Sequence, residues 1–244
     1  MSSKTSFSSK LVKLLKSNID LIYLPILSII TFYSAQFIVG VPMLIILGSD
    51  TLKTPLIATI FSALVYVLSF LFLLLTFKHL KPLRAPVTRN ELGFKDLVTF
   101  SDIGLAIAGL FGYLTFSAIL TALFSVFPWF NLTENQPLLY STLISPLNKV
   151  FAAIALVVVG PILEEVIYRG LIYGKLRKKH SLITSILIVS ILFGFLHGQW
   201  NVGVDIFALS VVACLMRETT GTIYAGIILH MLKNTIAFYL LFMA

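Results

Sequence analysis

The chain has 244 residues, of which 58% are hydrophobic and 11% charged, and its mean hydropathy is +1.00. A soluble globular domain carries about 25% charged and 45–50% apolar residues, so a soluble enzyme, a disordered chain and a disulfide scaffold are excluded, the last also because Cys214 is the single cysteine. The net charge of +8 would suggest nucleic acid in a soluble protein. In a chain of long apolar blocks it reads as topology, with Lys and Arg marking cytoplasmic loops, and no nucleic-acid partner is expected.

Residues 1–20 form a basic lead with Lys4, Lys10, Lys13 and Lys16 among serines. Residues 21–49 hold no charge. They are too long for the ~7–15-residue apolar region of a signal peptide, and no A-x-A-like cleavage site follows, so they read as the first membrane span. The second span is 54–77, between Lys53 and Lys78. A polar segment, 79–102, carries Lys81, Arg84, Arg89 and Lys95 with Pro82 and Pro86. The third span, 103–127, ends in Pro128-Trp129, and a tryptophan at a span end reads as an interfacial anchor. Residues 131–146 form a polar loop broken by Pro137 and Pro146.

Residues 147–176 are apolar but interrupted by Gly160-Pro161 and Glu164-Glu165. A straight helix of that length would run ~45 Å against a ~30 Å hydrocarbon core, so it is expected to kink at Gly160-Pro161 or to extend beyond the membrane. A basic turn follows (Lys175, Arg177, Lys178, Lys179, His180), then a span over 181–197, a short span over 204–216, the turn 217–221 and a last span over 222–242.

The pattern predicts an all-α, polytopic transmembrane bundle of about seven spans. The lead is residues 1–20, N-terminal helices and loops fill 21–145, and a core, 146–244, holds the last four helices. With the N-terminus in the cytoplasm, fifteen of the eighteen basic residues fall in cytoplasmic segments, as the positive-inside rule requires. A multi-pass cell-membrane protein with a cytoplasmic N-terminus is expected, the bilayer being its first partner.

Ionisable groups inside a membrane are costly and each needs a reason. Glu164, Glu165, His197, His230 and Lys233 stand out, with Asn234 as an amide. Asp205, near a span end, reads as interfacial. Residues at i and i+4 share a helix face, which pairs Glu165 with Arg169, Glu164 with Tyr168, Phe193 with His197 and His230 with Asn234. Arg169 neutralises Glu165, and Glu164, about 100° away, is left without that partner and suited to act as a base. The basic turn joins two antiparallel helices and puts Glu164 and His197 at one level, about 24 Å along the helix from the turn. His230 can reach the same level from the last span.

These residues form three ordered motifs: Glu164-Glu165-Val166-Ile167-Tyr168-Arg169, Phe193-Gly194-Phe195-Leu196-His197 and His230-Met231-Leu232-Lys233-Asn234. They follow E-E-x-x-x-R, F-x-x-x-H and H-x-x-x-N. The chain resembles the CPBP family of intramembrane endopeptidases, also called the Abi or CAAX-protease family, whose members include prenyl-protein endopeptidases and proteins linked to bacteriocin immunity. Pro161, Gly170 and the Thr220-Gly221 turn fit the pattern, and Arg89-Asn90-Glu91-Leu92-Gly93 looks like the family's segment before the core. The specific match covers about 160–235.

The resemblance implies peptide-bond hydrolysis within the membrane on a peptide or lipidated-protein substrate. Glu164 would activate water with help from His197, and His230 and Asn234 would stabilise the oxyanion. Glu165, Tyr168, Arg169 and Phe193 would support the site. No cofactor is favoured, although Glu164, His197 and His230 would make an alternative zinc set with an open position for water. Two other classes compete. A non-catalytic scaffold or immunity protein on the same fold has no need of a buried Glu/His/His/Asn set. A proton-coupled transporter would show interrupted helices in both halves, whereas the first half here has no charge inside its spans.

Overall fold

The computed structural model describes residues 19–79, 87–134 and 145–243. Residues 1–18 of the lead, Lys81, Arg84, Pro82, Pro86 and Pro137 lie outside the described residues. Among the described residues the protein is a polytopic helical bundle without strands. Its elements are α1 (Asp20–Leu52), α2 (Pro55–His79), a single turn α3 (Arg89–Leu92), α4 (Phe100–Phe124), a composite α5 (Pro146–Arg177), α6 (Leu182–Phe195), α7 (Trp200–Thr220) and α8 (Tyr224–Phe242).

Five of these, α1, α2, α4, α5 and α8, are long and apolar enough to cross a membrane. The other two expected spans differ from them. α6 is apolar but has only 14 residues, about 21 Å of helix. α7 runs over 21 residues rather than the apolar stretch 204–216, because its polar ends stay helical. α4 starts three residues earlier than the apolar run implies. Thr99 accepts from the Asp102 N–H, and the Asp102 carboxylate accepts from the Thr99 N–H at 2.8 Å, a capping box that satisfies two otherwise orphaned donors.

α5 resolves the problem of its length and its proline without a break. It stays helical throughout but widens into two π-helical stretches, Ile154–Val159 and Val166–Tyr173. A proline inside a helix lacks an N–H and crowds the carbonyl one turn back. A wide turn just before Pro161 opens that crowded position, and such turns cluster at functional sites.

Helices in lipid gain little by burying apolar faces, so close packing and polar contacts join them. α6 and α7 cross at Gly194 and Gly203. A Cβ on Gly194 would stand 2.5 Å from the Gly203 carbonyl oxygen, and one on Gly203 2.9 Å from the Gly194 carbonyl oxygen. Both obstacles are backbone, so Gly194→Ala is expected to destabilise the protein by about 1–3 kcal/mol. Thermal unfolding in detergent reads this directly, and an unchanged midpoint contradicts the crossing.

One end of the bundle gathers charge. Asp20, at the start of α1, meets Lys179 at 3.3 Å and His180 at 2.9 Å. Glu91 of α3 pairs with Lys178, and Arg177 with Glu218 at 2.8 Å. The α3 turn lies against α5 where Gly170 and Gly174 leave room, since a Cβ on Gly170 would stand 2.8 Å from the Leu92 carbonyl oxygen. The Arg217 guanidinium clasps the carbonyls of Glu91 and Gly221. At the other end Trp129 and Trp200 meet edge to face at 5.0 Å, and the Lys149 ammonium donates to the Phe242 carbonyl at 2.7 Å. The α1 start, the basic turn and the α7–α8 turn therefore share one end, as the expected alternation of spans requires.

Candidate active site

Glu164, His197, His230 and Asn234 line one cavity of about 300 Å³, together with Phe32, Ser62 and Tyr66 from the first two helices. The three motifs, on α5, on the α6 end and on α8, thus deliver their polar groups to one place, and the α5–α6 hairpin sets Glu164 and His197 at one level.

Glu165 and Arg169 form the expected pair at 3.0 Å, with both side chains wholly shielded. Arg169 also stacks over the Phe193 ring at 4.6 Å, and Tyr168 packs on the same ring at 4.4 Å. Phe193 thus packs between α5 and α8, resting against His197 at 5.0 Å and His230 at 6.0 Å. Gly226 is a glycine for a spatial reason: a Cβ there would lie 3.1 Å from the Glu165 carboxylate. Arg169, one of the fifteen basic residues assigned to cytoplasmic segments, is wholly buried inside the bundle against Glu165.

Glu164 is not the lone carboxylate that helical spacing suggested. Its Oε1 accepts from the Tyr66 hydroxyl of α2, and its Oε2 lies 3.6 Å from His230 Nε2. The other nitrogen of His230, Nδ1, lies 3.1 Å from Glu165 Oε1. His230 therefore bridges the two glutamates. His197 is fixed differently. Its Nδ1 lies 2.8 Å from the Phe193 carbonyl; a carbonyl only accepts, so Nδ1 carries the proton and the neutral ring keeps Nε2 as an acceptor.

Asn234 has a partner that sequence spacing gave no hint of. In the first wide turn the Gly160 N–H reaches back to the Ala155 carbonyl. The next donor in that pattern would be residue 161, a proline with no N–H, so the Leu156 carbonyl loses its backbone donor. The Asn234 side-chain amide supplies one, 2.7 Å away. Buried carbonyls are almost always paired, so this bond ties α8 to the widened part of α5.

Asp205 has partners that its interfacial reading did not name. Its Oδ1 accepts from the hydroxyls of Tyr113 and Ser117, each at 2.6 Å, and its Oδ2 lies 3.5 Å from the Lys233 ammonium. A lysine within a span needs a counter-charge, and Lys233, which also borders the cavity, takes Asp205 from the neighbouring helix.

The donor types Glu, His and His suit zinc. Among the described residues no three His, Cys, Asp or Glu side chains form a metal-holding group. One oxygen of Glu164 is taken by Tyr66 and the other faces His230.

Residues 146–236 match the family model described as "Type II CAAX prenyl endopeptidase Rce1-like". The chain is also 33% identical over 78 residues to a Bacillus subtilis (strain 168) protein named "Putative membrane peptidase YdiL", a match covering 32% of each chain. It thus spans about a third of the length of that relative. No solved structure gives a significant match.

Proposed function

We propose, from the CPBP/CAAX-protease family to which residues 146–236 belong, that the protein is an intramembrane endopeptidase acting on membrane-associated or lipidated, CAAX-type peptides. The observation that carries this reading is the convergence of Glu164, His197, His230 and Asn234 on one cavity inside an apolar bundle. Glu164 takes a proton from water as the water oxygen attacks the substrate carbonyl carbon. His197 holds that water through Nε2. The carbonyl oxygen becomes an oxyanion and needs donors placed beforehand, which is where such sites gain most of their rate. His230 serves there through an Nε2–H, which requires protons on both ring nitrogens because Nδ1 donates to the Glu165 carboxylate. Asn234 serves through the second hydrogen of its amide, the first being committed to Leu156. The proton held by Glu164 then passes to the leaving nitrogen as the C–N bond breaks, giving one carboxylic acid and one amine. Glu165 and Arg169 hold His230 and Phe193 in place.

The purified protein in detergent is expected to cleave at least one member of a panel of prenylated, plain C-terminal and membrane-segment peptides, read by mass spectrometry. A folded protein that cleaves none of them favours the scaffold. The charge distribution supports a cytoplasmic N-terminus and basic turn in the cell membrane. In a Cys214→Ala background, Lys178→Cys is therefore expected to react with an impermeant maleimide only after the cells are opened. Labelling from outside intact cells reverses the orientation.

A further inference from the structure

Tyr66 touches the Glu164 carboxylate, yet it lies on α2, far outside the matched segment 146–236. Its hydroxyl donates to Glu164 Oε1, and its ring leans on Phe32 of α1 at 6.0 Å. Both residues border the same cavity as the motif residues. A carboxylate on a glutamate side chain can turn about its last torsion, which is broad. Here each oxygen has an assigned neighbour: Oε1 has the Tyr66 hydroxyl, and Oε2 has His230 Nε2 at 3.6 Å. With Oε1 anchored, the carboxylate plane is fixed and Oε2 is the oxygen presented to water. On α5 itself, Glu165 and Arg169 are joined to each other.

We propose that Tyr66 is a positioning residue of this active site, supplied by the N-terminal helices, that orients Glu164 so that one carboxylate oxygen serves as the base. This rests on the peptidase reading above. It also makes α1 and α2 part of the site, since the motif-bearing core alone lacks the donor.

The test uses the full-length protein with three residues at position 66: tyrosine, phenylalanine, and 4-aminophenylalanine introduced by amber suppression. Phenylalanine keeps the ring and removes the donor; 4-aminophenylalanine restores a donor at the same reach. Tyr66→Phe is expected to lower kcat about tenfold or more with KM unchanged, since a bond to a charged group is lost where the reaction happens. The amino analogue is expected to return kcat to within about threefold of wild type. In parallel, the rate at which a hydrophobic carbodiimide modifies Glu164 is followed by peptide mass spectrometry. Tyr66→Phe is expected to accelerate it severalfold, because Oε1 is no longer covered. An unchanged kcat, or a loss of kcat that the amino analogue does not restore, overturns the proposal. Should wild type cleave no peptide, the peptidase reading fails by itself, and the carbodiimide rates decide whether Tyr66 holds Glu164: equal rates with and without the hydroxyl overturn that link.

Discussion

Glu164→Gln is expected to leave a folded, membrane-inserted protein whose peptide hydrolysis is lower by roughly 10²–10⁴-fold, the range that a positioned general base contributes. Glutamine keeps the size of the side chain and can still accept from Tyr66, so the bundle loses little. Glu165→Gln is expected to behave differently although it is the neighbouring residue. The carboxylate of Glu165 is the 3.0 Å partner of Arg169, which is wholly shielded, and it also holds His230 Nδ1 at 3.1 Å. Removing its charge strands a buried guanidinium, which typically costs about 3–5 kcal/mol. The expected result is a lower yield and a lower unfolding midpoint together with lost activity. The measurement is kcat on one cleaved peptide beside thermal unfolding in the same detergent for both variants. Equal loss of activity with normal folding in both would contradict the division of labour between the two carboxylates.

That division was half legible in the sequence. Glu165 with Arg169 follows from four-residue spacing on a helix, the common depth of Glu164 and His197 follows from counting residues out from the basic turn, and that of His230 from counting into the last span. Ionisable side chains stand out in apolar spans because lipid offers them nothing, so each one announces a partner. Tyr66, Phe32 and Ser62 do not stand out. A tyrosine or serine in an apolar helix is common and costs little, and no spacing rule links α2 to α5 across ninety-eight residues of chain. The wide turns in α5 are equally silent, since no composition marks them. Only with the turn before Pro161 in view does the Leu156 carbonyl become an orphan and the bond from Asn234 become necessary. The partners of Asp205 were hidden for a related reason: its distance from the span end was readable, but Tyr113, Ser117 and Lys233, which hold it, sit on two other helices.

The outcome of metal removal separates the two chemistries that this residue set permits. In the glutamate reading no step needs a cation. The carboxylate of Glu164 takes the proton from water, and His230 and Asn234 meet the oxyanion, where losing one donor typically costs about 10²–10³ in rate. In the zinc alternative Glu164, His197 and His230 become ligands, and removing the ion removes the Lewis acid and the activated water together. The anchoring of both histidines through Nδ1, to the Phe193 carbonyl and to Glu165, leaves Nε2 facing the cavity, an orientation that either chemistry could use. The glutamate reading rests on Glu164, whose Oε1 is held by the Tyr66 hydroxyl while Oε2 faces His230 Nε2 at 3.6 Å and is open to a water. The protein dialysed against EDTA is therefore expected to retain its turnover, elemental analysis to find less than about one transition-metal ion per chain, the minimum a one-metal site requires, and Asn234→Ala to slow cleavage without altering metal content. Loss of turnover in EDTA, restored by one equivalent of zinc and by no other treatment, would make the same three residues a metal site and would assign Tyr66 to holding a ligand instead of a base.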